Sequence, residues 1–156
     1  MAISPVLKDY LSKHHVSYSI IPHRRTLSSM KTAAAAHVPG DCLAKCVVLE
    51  DEDGFMMAVL PATHRIDLGA LHHYLRRYLG LATENELGGL FQDCELGAIP
   101  PVGAAYGMET VVDESLTAQS EIYFESGDHE ELIRVSGEQF QELMAGSRQA
   151  CFSHHV

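Results

Sequence analysis

A single domain of mixed α/β class (α+β) is what the sequence predicts, and three observations predict it. The chain has 156 residues, enough for one hydrophobic core. Segments with helical spacing of apolar residues alternate with short β-branched runs. The runs are joined by compact turns, with neither a linker nor an internal repeat to divide them. The expected architecture is a central mixed, mostly antiparallel sheet of roughly six or seven strands surrounded by helices. The domain is expected to span residues 1–156, with its core over about 5–145 and a mobile tail over 147–156.

The elements follow in order. Ser4 caps a helix with Pro5 at its first position, and Val6, Leu7, Tyr10 and Leu11 form its apolar face. Residues 16–20 alternate apolar and polar, as a strand does. Ser28 or Ser29 opens an alanine-rich helix that stops at Pro39-Gly40. Residues 43–49 and 55–60 read as paired strands across the acidic Asp53-Gly54 turn. Asp67 caps a helix through Leu71 and Leu75, and Leu81-Ala82 is a very short strand. Thr83-x-x-Glu86 is a capping box. Residues 109–112, 122–125 and 131–135 read as strands, and Ser136 with Gln139 opens a last helix ended by Gly146.

Composition excludes several function classes. Apolar residues make up 46% and charged residues 21%, ordinary values for a soluble globular chain. No apolar run reaches membrane-spanning length. The first residues lack a basic region followed by an apolar block, so a cytoplasmic location is expected. The net charge of −10 argues against broad duplex binding, which needs many cationic phosphate contacts. It leaves room for a local contact with a nucleic-acid end, and Arg24-Arg25 with Lys31, and Arg76-Arg77, are the local concentrations of positive charge. Cys42, Cys46, Cys94 and Cys151 fit no zinc spacing and are expected as thiols. Adjacent histidine pairs do not share a helix face, so they make poor metal sites and no metal is expected.

Two stretches stand out. Lys45 interrupts an apolar strand. Alternation puts Ala44, Cys46 and Val48 on one face, and Lys45, Val47 and Leu49 on the other. Val47 and Leu49 imply that the lysine face is covered, so its amine must reach water, a carboxylate or a ligand. It either snorkels to the sheet edge or stands in a cleft, where it can polarise a carbonyl or bind a phosphate. The second stretch is Gly97-Ala98-Ile99-Pro100-Pro101-Val102-Gly103. Its prolines exclude a helix interior or a central strand, and its glycines permit close approach to the main chain. Such a stiff loop can wall a pocket and offer the N–H groups of Ala98, Ile99 and Val102.

These residues carry a resemblance. Ala44-Lys45-x-Val47-Val48-Leu49 is followed by Leu60-Pro61-Ala62, Asp67-Leu68 and Ala82-Thr83-x-x-Glu86-Leu87. Then come Glu95-x-Gly97-x-Ile99-Pro100-Pro101-x-Gly103 and Phe124-Glu125-x-Gly127-x-His129. The ordered series resembles the YbaK/ProX family of aminoacyl-tRNA deacylases, the prolyl-tRNA synthetase-associated domain, over about residues 5–145.

The resemblance implies a trans-editing hydrolase that cleaves the ester between a wrongly attached amino acid and the tRNA 3′ end. Aminoacyl-tRNA would be its substrate, an aminoacyl-tRNA synthetase a conceivable partner, and no metal, cofactor or membrane would be needed. By position, Lys45 would orient the terminal adenosine and the ester. Cys46 and the Gly97–Gly103 backbone would line the aminoacyl pocket, with Gly127 and His129 on a second turn beside it. Cys46 stands where some members carry Asn, and Ile-Pro-Pro-Val where many carry Ser/Thr-Pro-Phe, so the preferred amino acid does not carry over. The alternative is a non-catalytic module of the same fold that binds tRNA ends, a synthetase, or a small acyl or nucleotide ligand.

Overall fold

The computed structural model describes residues 3–26 and 28–156. Met1 and Ala2, at the start of the segment read above for a leader, lie outside them. The architecture is mixed α/β, as expected. Five helices are α1 (Pro5–Lys13), α2 (Ser29–Ala36), α3 (Leu68–Leu75), α4 (Glu84–Leu90) and α5 (Gly137–Leu143). The strands are β1 (Ser19–Pro22), β2 (Leu43–Asp51), β3 (Gly54–Pro61), β4 (His64–Ile66), β5 (Gly80–Leu81), β6 (Glu109–Asp113), β7 (Glu121–Glu125), β8 (Glu131–Ser136), β9 (Arg148–Ala150) and β10 (Ser153–His155).

Helix starts are set by local chemistry. Ser4, Ser28, Asp67, Thr83 and Ser136 each accept a hydrogen bond from a first-turn N–H. The box at α4 is reciprocal: Glu86 N donates to Thr83 Oγ1 and Thr83 N donates to Glu86 Oε1. At α5 only the serine half forms, and Gln139 Oε1 is buried without a partner.

Eight strands form one sheet, in the order β1-β8-β7-β2-β3-β6-β9 with β5 also on β2. The alternation expected for β2 holds. Ala44, Cys46 and Val48 face a core with Met57 and Val59, Leu7 and Leu11 of α1, Phe140 of α5 and Ile99. Val47 and Leu49 face a second core with Leu60, Leu71 and Leu75 of α3, and Phe152. Leu43 and Ala62 pack beneath Ala33 of α2.

Two expectations are revised. The first strand pairs over Ser19–Pro22 rather than 16–20, because Val16 N–H is taken by Leu11 O where α1 ends. The tail expected to be mobile is paired. Arg148–Ala150 lie parallel to β6, and Ser153–His155 antiparallel to β4. Phe152 between them is 1% exposed and anchors the segment in the second core.

Candidate active site

The two edges of β2 differ. One pairs with β3 without a break from Ala44↔Pro61 to Asp51↔Gly54. The other is shared. β7 runs parallel to it only at Leu43 and Ala44, and β5 pairs only at Leu49 and Glu50. Ala82 N–H caps the Val48 carbonyl. Between these partners no strand pairs with Lys45–Val47 among the described residues. The split holds a cavity of about 370 Å³ lined by Lys45, Cys46, Val48, Leu81, Leu87 and Ile99, with Gly97 and Glu125 at its wall.

Lys45 and Cys46 point to opposite faces, yet both reach this space because it runs along the open edge. The Lys45 amine is half-buried and donates to Ala62 O at 3.3 Å. Burial, then the positive charge of Arg65, lowers its pKa from the ordinary lysine value. Cys46 Sγ lies 3.5 Å from Ile99 O. Burial, then the neighbouring Cys94, pushes its thiol up to about 12, so it stays protonated and is a poor nucleophile.

The diproline loop divides into two parts. Gly97 and Ile99 reach the cavity. Ala98, Pro100, Pro101, Val102 and Gly103 do not line it and are buried in the packing behind. Of the three donors expected there, Ala98 N–H is spent on Glu95 O. Gly103 is required for another reason: a Cβ there would sit 2.2 Å from Thr110 Oγ1, against β6. Gly97, at φ +84°, takes a conformation suited to glycine.

Gly127 and His129 do not line the cavity either; they fasten the loop that does. Gly127 O accepts from Glu95 N, and His129 Nε2–H donates to Leu96 O at 2.5 Å. Arg25 adds a bidentate pair with Glu95 and a bond to Asp128 O. Three contacts therefore hold residues 95–96 to the β7–β8 turn, just before Gly97. Gly127, at φ +121°, is where the turn crosses the start of α1, and a Cβ would lie 3.2 Å from Ser4 Cβ.

Glu125 is the functional candidate that sequence reasoning missed. Its carboxyl oxygens are buried without a hydrogen-bond partner. Oε1 lies 3.5 Å from His23 Nε2, and Oε2 lies 3.6 Å from His129 Nδ1. Each histidine's other nitrogen is engaged by a carbonyl, His23 Nδ1 by Arg24 O and His129 Nε2 by Leu96 O. A neutral ring that donates to its carbonyl turns a lone pair toward Glu125. Burial, then the charges of Asp128 and Glu95, pushes the Glu125 carboxyl up to about 8. The protonated form of the acid is thus favoured at neutral pH. The sequence carried a signal in Phe124-Glu125-x-Gly127-x-His129, but nothing tied it to His23, about a hundred residues away.

A profile of the aminoacyl-tRNA editing domain matches residues 23–143. The chain belongs to the aminoacyl-tRNA editing domain family. The match takes in the split edge, the loop and the Glu125 turn. No curated protein matches the sequence. Among solved structures, the fold of this editing domain is shared by a candidate trans-editing enzyme for prolyl tRNA synthetase. That structure has 24% identity and a TM-score of 0.81, with 98% of this chain and 99% of that one covered. A hypothetical protein superposes with a TM-score of 0.84 at 20% identity, over 96% and 99% of the two chains. A candidate signal transduction protein from Marinobacter aquaeolei has a TM-score of 0.78 at 23% identity. That superposition covers 95% of this chain and 30% of the other. No described helix is long and apolar enough to cross a membrane.

Proposed function

We propose that this editing domain hydrolyses the ester of mischarged aminoacyl-tRNA, with the reacting group held at the split edge of β2. The observation that carries the reading is that Lys45 and the Gly97–Ile99 wall border one cavity. An aminoacyl ester is already activated, so orientation and charge stabilisation supply much of what hydrolysis needs. Water oxygen bonds to the carbonyl carbon, the bond to the ribose oxygen breaks, and that oxygen takes up a proton. The amino acid leaves as a carboxylate, releasing one further proton. Lys45 orients the ester and offsets charge on the carbonyl oxygen. Its partial burial strengthens that effect relative to water.

Leu81, Leu87 and Ile99 give the cavity an apolar interior, which favours a small uncharged side chain. The volume of about 370 Å³ sits at the low end of small-molecule sites. Cys46 shapes the pocket as a thiol and forms no acyl-enzyme. Glu125 stands at the cavity wall beside His23 and His129, and His129 holds the loop through Leu96 O.

The test is a panel of mischarged tRNAs offered to wild type and Lys45→Ala. At least one tRNA should be cleaved well above its spontaneous rate, and the variant should lose roughly 100-fold or more in kcat/KM. Spontaneous rates throughout would contradict the proposal. A non-catalytic module is the second reading, favoured by the bond that already engages the Lys45 amine with Ala62 O. Retained tRNA affinity without turnover would select it.

A further inference from the structure

The parallel pairing of β2 with β7 stops at Ala44↔Phe124. The next residue on each strand is ionisable, Lys45 on β2 and Glu125 on β7. Ala44 and Phe124 both belong to the first core, so alternation turns Lys45 and Glu125 together toward the opposite face. Both border the cavity of about 370 Å³. A base and an acid therefore stand at the two rims of the gap, at the level where the ladder opens.

The two do not pair. No ion pair joins them among the described residues. The Lys45 amine is turned to Ala62 O. The Glu125 side chain is turned toward His23 and His129, at 3.5 and 3.6 Å, beyond the usual reach of a hydrogen bond. Glu125 is 6% exposed, and both its oxygens are buried without a partner. Burying a carboxyl with no bond made costs free energy in either protonation state. One kept in that condition at a cavity wall is an acceptor left for an entering donor. Asp128 and Glu95 add negative charge on this side, as the raised Glu125 pKa registers, whereas Arg65 adds positive charge beside Lys45. The gap is thus polarised, acidic at the β7 rim and cationic at the β2 rim.

A group that fits this polarity carries a basic amine next to a carbonyl, as an α-aminoacyl unit does. We propose that Glu125 receives the free α-amino group of the bound aminoacyl unit and so selects α-aminoacyl groups over acyl groups that lack a basic amine. The proposal rests on the deacylase reading for the placing of the ester carbonyl, which faces Lys45 while the amine faces Glu125. Either proton arrangement serves: a protonated carboxyl donates to a neutral amine, and a carboxylate accepts from an ammonium. Exclusion of water strengthens the contact. An acyl group without the amine leaves the buried carboxyl unpaired again, which is how a polar site rejects an analogue of the right shape.

The test uses the full chain and two probes, 3′-amino-3′-deoxyadenosine carrying alanine through an amide, and the same nucleoside carrying propionate, which lacks only the amine. Amide NMR titration at neutral pH should show the alanyl probe binding roughly tenfold or more tightly than the propionyl probe. Glu125→Gln should keep a dispersed spectrum and bring the two affinities within about twofold, chiefly by weakening the alanyl probe. Glu125→Met, close in length, gives the same comparison if the first variant does not fold. A purely structural role would weaken both probes alike and keep their ratio, which would overturn the proposal. Equal affinities in wild type would overturn it without any variant, as would no binding of either probe at millimolar concentration. Loss of the alanyl preference in the variant, with every tRNA of the panel at its spontaneous rate, would keep the amine receptor and defeat the deacylase reading.

Discussion

The edge of β2 that pairs with β3 and the edge that is split between β7 and β5 belong to the same nine residues, yet they do opposite things. On the β3 side every residue from Ala44 to Asp51 has a partner, and Met56, Met57, Ala58, Val59 and Leu60 are 0% exposed. On the other side the ladder lapses at Lys45–Val47, and a polar, partly desolvated residue stands where a strand would otherwise pack. The lesson is that the pocket is made by withheld pairing. A rigid ladder on one edge holds the geometry while the other edge stays open.

The largest expected effect separates chemistry from folding at this boundary. Lys45→Ala should remove nearly all deacylation while shifting the melting temperature by only a few degrees, because a half-buried amine with one 3.3 Å bond adds little stability. On the closed edge the order reverses. Leu60→Ala should cost about 2–5 kcal/mol, read as a lower denaturation midpoint in urea. A melting shift at Lys45 as large as that at Leu60 would erase the distinction.

The next effect sharpens the role of the loop fastening. His129→Ala removes the donor to Leu96 O and one neighbour of Glu125. Amide hydrogen exchange over residues 95–99 should speed by roughly tenfold or more, with exchange along β3 unchanged. Equal change in both places would mean that the histidine supports the whole core and not the open side.

Glu125 gives a pH signature. Its folded pKa is raised from 4.5 to about 8, so between those values the folded state holds a proton that the unfolded state has released. Stability should therefore fall as pH rises through that window and level off above about 8. Glu125→Gln keeps the shape and cannot ionise, so urea titrations from acid to alkaline pH should show that part of the slope gone. An unaltered slope would mean that the carboxyl is not held neutral. The smallest effect is Thr83→Ala, which breaks the box at α4 and should cost about 1 kcal/mol with little change at the site.

Legibility followed the range of the interactions. The helix caps at Ser4, Asp67 and Thr83, and the β2–β3 hairpin, rest on contacts within a few residues, and the sequence shows them. Lys45 was conspicuous because one charge broke an apolar alternation. β4, β9 and β10 span three residues each and exist only through partners elsewhere, such as Val111 for Arg148 and Ile66 for Ser153. No local pattern of that length specifies a strand. Gly103 read as part of a pocket wall, but its lack of a side chain serves the approach to Thr110 on β6. The cluster of His23, Glu125 and His129 was hidden for the same reason: only the fold brings the segment after β1 beside the β7–β8 turn.

The most direct measurement is a crystal structure of the complex with an aminoacyl-adenosine whose ester is replaced by a non-hydrolysable amide. The account predicts the aminoacyl group in the gap between β7 and β5, bounded by Lys45 on one side and Ile99 on the other. Density for that group anywhere else, with the gap closed or filled only by solvent, would contradict it.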